Sequence, residues 1–173
     1  MQEQTAQNRD DVAAGPASGS QLLTFLLAGE EYGVDILRVQ EIRGWDSATL
    51  VPNTPPYIKG IINIRGSIVP VLDLRLRFGL PAVEYGPTTV VIVVKVEGAT
   101  RAMTVGLVVD AVSDVFSLAT AKIQPPPEFG GDIDINFISG LITSEERLIV
   151  VLAVDGLLGK TAAVAEAPHA LVA

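Results

Sequence analysis

Cysteine is absent from the 173 residues, and histidine occurs once, at His169 near the C-terminus. The first absence excludes disulfides, thiol nucleophiles and thiolate metal sites. The second leaves a Ser–His–Asp triad, a histidine-bound zinc or an imidazole base to depend on a segment that reads as a tail. Aromatic residues make up only 5%, and charged residues 18%, with 12 lysines and arginines against 20 acids. The resulting net charge of −8 argues against broad binding to nucleic acid or anionic lipid, which needs a positive surface. Long apolar runs are missing too. The longest, residues 148–154 and 90–94, fall well short of the roughly 18–20 needed to cross a bilayer. Residues 1–20 are polar and lack the apolar stretch of a signal peptide. These absences predict a cytoplasmic protein without direct membrane insertion, and they weaken a catalytic reading.

What the chain does hold is aliphatic. Hydrophobic residues reach 49%, enough for a core. They fall in short segments, QLLTFLLAG, EYGVDIL, IKGIINIRG, SIVPVLDL, TTVVIVVKV, AMTVGLVVD and LIVVLAV, separated by turn residues such as Arg65-Gly66-Ser67. Most are β-branched and of strand length. Only residues 34–43 and 73–78 have a helical flavour. Turns this frequent leave no room for the crossover helices of a parallel sheet, so an all-β barrel or pair of barrels is expected. The body spans residues 21–160, between an N-terminal tail (1–20) and a C-terminal tail (161–173).

The body also repeats itself. Tyr57-Ile58-Lys59-Gly60-Ile61-Ile62 matches Phe137-Ile138-Ser139-Gly140-Leu141-Ile142, each after a proline-bearing loop and before a polar turn and an aliphatic strand. Gly33-Val34-Asp35 is loosely echoed by Val109-Asp110-Ala111. Two related subdomains follow from this, each of about 70 residues and too small to hold a core alone, so that they share an interface.

Familiar chemical motifs break down on inspection. Residues 132–136 (DIDIN) begin like a calcium loop, but Phe137 stands where the turn needs glycine and Thr143 where a bidentate glutamate belongs. Gly159-Lys160-Thr161 ends like a phosphate loop but lacks the earlier glycine, Val154 being there instead. Asp110 and Asp114 have no nameable base, nucleophile or metal ligand beside them, and read as solvated or turn-capping carboxylates. Arg65 is of more interest: at a hairpin turn its planar fork is held out toward carboxylates of a partner. Glu41, one acid among apolar neighbours, reads as a surface charge or half of an ion pair. Trp45 and Phe129 stand near loops, where they would anchor an interface if they lie on a barrel rim.

Four stretches together carry a family resemblance: EEYGVDILRVQEIRGW (30–45), PNTPPYIKGIINIRGSIVPVLDLRLRFGL (52–80), VGLVVDAVSDVFSL (105–118) and IQPPPEF (123–129). In order and without large gaps, they closely resemble the CheW family, the coupling proteins of bacterial chemotaxis. The resemblance implies two intertwined five-stranded SH3-like β-barrels with a few short helical turns. It implies a non-catalytic adaptor, without cofactor, between methyl-accepting chemoreceptors and the histidine kinase CheA, pairing barrel to barrel with the regulatory domain of CheA and with other CheW-like subunits in array rings. Carried over motif by motif, the receptor-facing groove would include Val39, Glu41, Gly60, Arg65 and Val115, and Phe129 would meet the kinase. A paralogue serving another receptor–kinase pathway has the same signature. A receiver-bearing CheV is disfavoured by the short C-terminal tail, a detached CheA regulatory domain by the lack of a kinase segment before residue 21. A small-ligand barrel would need a large internal cavity, which two barrels of this size should fill with their own side chains.

Overall fold

A computed structural model describes residues 20–97, 100–119, 121–126 and 137–158. Strands dominate: β1 (Gln21–Leu27), β2 (Glu30–Asp35), β3 (Val39–Gly44), β4 (Ile58–Ile64), β5 (Ser67–Asp73), β6 (Val90–Glu97), β7 (Ala102–Val109), β8 (Ala111–Ser117), β9 (Ile138–Ser144) and β10 (Arg147–Leu152). A 3-10 turn (Ile36–Arg38) joins β2 to β3, and short helices α1 (Leu74–Arg77) and α2 (Val154–Leu158) follow β5 and β10.

The strands form two five-stranded sheets, ordered β8-β1-β2-β10-β9 and β3-β6-β7-β5-β4. Both are built alike. An antiparallel hairpin (β1–β2 or β6–β7) joins in parallel, through its second strand, to the last strand of another hairpin (β9–β10 or β4–β5). A fifth strand, β8 or β3, pairs with the outer side of the first hairpin. Each half of the chain gives two strands to one sheet and three to the other, so the halves are intertwined. The two five-stranded β units are present; each is an open sheet, since no pairing among the described residues joins β8 to β9 or β3 to β4.

The repeat extends to single hydrogen bonds. The Asp73 N–H donates to the Tyr57 carbonyl, and the Ala153 N–H to the Phe137 carbonyl, both at 2.8 Å. Thr49 bridges Ile61 as Gln124 bridges Leu141. Gly33 lies opposite Val151 and Gly106 opposite Val71, so Gly106 is the counterpart of Gly33. Asp35 therefore corresponds to Val108, and the expected echo of Asp35 in Asp110 is out of step by two residues.

Alternating side chains fill three cores. On β6, Val91 and Val93 face the interior of their own barrel, while Ile92, Val94 and Val96 face the other sheet. Burial on both faces explains why this strand reads as an unbroken aliphatic run. The shared core brings Leu23, Phe25 and Val34 of one sheet against Leu72 and Leu107 of the other. Each such side chain stabilises the fold by roughly 1.5–3 kcal/mol relative to exposure. The second barrel has its own filling of Leu22, Ile142, Ile149 and Val151. Arg77 stacks on both Tyr57 and Phe137 and donates to the Leu157 carbonyl at 2.8 Å, tying α1 to α2.

The helical expectation over residues 34–43 fails. The segment is the end of β2, the 3-10 turn and β3, and only the three turn residues are helical. Leu37 and Ile42 are solvent-exposed. Pairing of β3 with β6 decides the conformation instead. The helical expectation over residues 73–78 holds, with Asp73 capping α1 by accepting the Leu76 N–H.

Candidate functional site

Glu41 and Arg65 meet. Arg65 is the first residue of a two-residue turn between β4 and β5, with φ 49° followed by Gly66 at 87°. Asn63 steadies the turn by accepting the Gly66 N–H at 2.9 Å. From there both terminal nitrogens of Arg65 donate to Glu41 Oε1 at 2.7 Å. Arg43 donates to the other oxygen, Oε2, at 3.3 Å. Residues 41 and 43 alternate onto one side of β3, so this second guanidinium was legible in the spacing, yet sequence reasoning overlooked it. The Arg65 side chain is 75% exposed and Glu41 25%, leaving most of the fork free to bond a partner.

The pair stands at one end of an open groove of about 650 Å³ in the mouth of the β3-β6-β7-β5-β4 barrel. Ile68, exposed on β5, and Met103 and Arg101, at the start of β7, also line it. Ile68 was legible as an apolar residue just past a turn; nothing in the sequence marked Arg101.

The other expected contact residues scatter. Val39 is half-buried and packs against the shared core. Gly60 is buried on β4 with φ 138°, where a Cβ would come within 2.2 Å of the Thr49 carbonyl oxygen. Val115 is exposed on the other sheet, at edge strand β8. Phe129 lies outside the described residues, as do residues 132–136, 159–161, His169 and the segments 1–19 and 161–173.

Two other readings gain partners. Trp45, half-buried, packs edge-on against Tyr85, ring centroids 4.7 Å apart. The Tyr85 hydroxyl in turn donates to buried Asp73, and burial followed by that bond pushes the tyrosine well above its ordinary value. Asp110 caps the β1–β2 turn by accepting the Ala28 N–H, and Asp114 is solvent-exposed, as read from the sequence. Asp110 accepts two nitrogens of Arg75, and Asp114 takes part in hydrogen bonds with buried Thr24, where β8 bulges against β1. All of this is structural pairing.

Residues 21–162 match the family model described as CheW-like domain. The chain is 46% identical over 145 residues to the chemotaxis protein CheW of Klebsiella aerogenes, covering 84% of this chain and 85% of that one. It is 33% identical over 152 residues to the chemotaxis protein CheW of Bacillus subtilis, covering 87% and 94%. The crystal structure of the scaffolding CheW from Thermoanaerobacter tengcongensis superposes with a TM-score of 0.73 at 35% identity, over 82% of this chain and 93% of that one.

Proposed function

The chain belongs to the CheW-like family, and from that premise we propose that its Glu41–Arg65 face meets chemoreceptors while a separate face meets the kinase CheA. Membership makes it a non-catalytic scaffold of chemotaxis signal transduction. Among the described residues no helix is long and apolar enough to cross a membrane. The proposed working unit is residues 21–160, cytoplasmic and held at the membrane-associated receptor array through its partners. Those partners are the helical tip of methyl-accepting receptors, the regulatory domain of CheA and other CheW-like subunits.

The observation that carries this reading is the Arg65 fork, aimed by Glu41 and largely exposed. A helix laid in a groove needs apolar contacts and a few fixed charges for register. Exposed Ile42, and Val115 on edge strand β8 of the other sheet, are assigned the first and Glu41 and Arg65 the second; half-buried Val39 and the tightly crossed Gly60 are assigned a supporting place in the same contact. Phe129 is assigned to the kinase contact.

The test measures binding of wild type, Arg65→Ala and Phe129→Ala to a receptor signalling fragment and to the CheA regulatory domain. Arg65→Ala should lose about 1–3 kcal/mol of receptor affinity and keep kinase binding. Phe129→Ala should do the reverse. A folded Arg65→Ala protein that binds receptor like wild type would overturn the assignment.

A further inference from the structure

The two barrel mouths are not alike, although the repeat makes their backbones equivalent. In the β8-β1-β2-β10-β9 sheet, Arg147 at the start of β10 reaches across to Glu31 on β2, bonding both carboxylate oxygens at 3.2 and 2.6 Å. The equivalent positions in the other sheet follow from the registers. Ile149 faces Glu31 as Val69 would face Thr104, and the turn before β10 matches the turn before β5. Arg147 thus corresponds to Ser67 and Glu31 to Thr104. Both of these short side chains line the open groove. Where one mouth is bridged by an ion pair, the other is left unbridged.

The backbone contributes to the opening. β5 and β7 pair only over residues 71–73 and 106–108, so upstream their facing edges are strand edges without a neighbour. Residues 67–70 and 102–104 form the two walls. Around this slot, lined by polar and apolar side chains alike, stand Arg65, already paired with Glu41, and Arg101, which has no ion-pair partner among the described residues. In a chain of net charge −8, Arg101 is thus one uncompensated positive charge beside Ile68 and Met103. The open groove of about 650 Å³ has room for one or two side chains of a partner.

We propose that this unbridged mouth seats a segment of the receptor tip in which an aliphatic side chain enters the slot and a neighbouring carboxylate pairs with Arg101. The inference rests on the reading that the Glu41–Arg65 face meets the receptor, and it adds Arg101, Met103, Ser67 and Thr104 to that site. It also gives a reason for the asymmetry: the chain leaves open only the mouth that Arg65 guards.

The test copies the bridge. The double variant Ser67→Arg/Thr104→Glu places an arginine and a glutamate where the other sheet has them, and Arg101→Glu reverses the rim charge at an exposed position. Binding to a receptor signalling fragment and to the CheA regulatory domain is measured by titration calorimetry, with circular dichroism confirming the fold. Both variants should bind the receptor fragment at least tenfold more weakly, and the kinase domain as wild type does. Unchanged receptor binding by the double variant overturns the slot, and unchanged binding by Arg101→Glu overturns the acidic character of its occupant. If Arg65→Ala loses receptor binding while both of these variants keep it, the receptor face stands and the slot falls. If wild type binds no receptor fragment, both fall. A wild-type dimer that the double variant abolishes would assign the slot to a second copy and overturn the receptor as its occupant.

Discussion

Arg65 occupies a backbone conformation that suits it poorly. At φ 49° it lies in the left-handed region, where a side chain other than glycine, asparagine or aspartate costs roughly 1 kcal/mol. Asparagine followed by glycine is the pair such a turn prefers, and Gly66 already supplies the second half. Pairing with Glu41 offsets little of the cost, since exposed ion pairs contribute about 0–1 kcal/mol. The arginine is thus better explained by what it binds than by what it holds together. Arg65→Asn should leave stability to urea within about 1 kcal/mol of wild type, or raise it, while weakening receptor binding as Arg65→Ala does. A large drop in the urea midpoint would make Arg65 a residue of the fold instead. Sequence alone singled out Arg65 and Glu41, because a charge in an aliphatic string is conspicuous. It did not show that they meet, 24 residues apart, because that depends on β3 and the β4–β5 turn belonging to one sheet.

Among the strands, β4 and β9 each carry a glycine that a neighbouring segment crosses closely. An added Cβ at Gly60 would lie 2.2 Å from the Thr49 carbonyl oxygen, and one at Gly140 2.2 Å from Ile123 Cγ2 and 2.7 Å from the Gln124 carbonyl oxygen. Backbone cannot yield as a side-chain tip can, so Gly140→Ala should cost about 1–3 kcal/mol, read as a fall in the urea midpoint. Gly60→Ala should cost more, because its φ of 138° is strained for any residue with a side chain. Gly60→Ala is then expected to weaken receptor and kinase binding together, unlike Arg65→Ala; a fully stable Gly60→Ala protein defective only toward receptor would make Gly60 a direct contact. The match of these two glycines was visible in the hexamer repeat, and so were the strands with long aliphatic runs. β3 (VQEIRG) and β8 (AVSDVFS) were not, because each lies at a sheet edge, pairs on one side only and mixes exposed apolar with polar residues. Of the edge strands, these two carry the weakest pattern, and they are also where each half of the chain crosses from one sheet to the other.

At the scale of the whole molecule, those crossings are clamped by two ion pairs with exchanged charges, in which Asp155 is the repeat equivalent of Arg75 while Arg38 and Asp110 are one residue out of step. Arg38, after β2, bonds Asp155 of α2 through two nitrogens at 2.8 and 2.9 Å. Asp110, after β7, bonds Arg75 of α1 at 3.0 and 2.9 Å. Each carboxylate also accepts a backbone N–H from the end of a hairpin, Glu97 for Asp155 and Ala28 for Asp110. Every clamp therefore joins one half of the chain to the other. For Asp155, the Arg38 hydrogen bonds outweigh burial and hold the carboxyl below the ordinary aspartate value of 3.8. Burial pushes Asp110 upward, but the Arg75 hydrogen bonds, the Ala28 N–H and the guanidinium charge together bring it below that value as well. Both groups bind a proton more readily in the unfolded chain, so acid favours unfolding. Their contribution is complete above 3.8 and is lost as the pH falls through the lower folded-state values. Urea midpoints measured from about pH 7 down to about pH 3 should fall steeply at the acid end, because ionised carboxylates paired in the fold must then take up protons. An Asp110→Asn/Asp155→Asn protein should be less stable than wild type at neutral pH, since two guanidinium groups lose their charged partners, but its midpoint should change less across the acid range. The contrast between the two profiles isolates these clamps from the carboxylates common to both proteins. If the double variant shows the same acid slope as wild type, the two halves are held together by their shared apolar core and not by the crossed ion pairs.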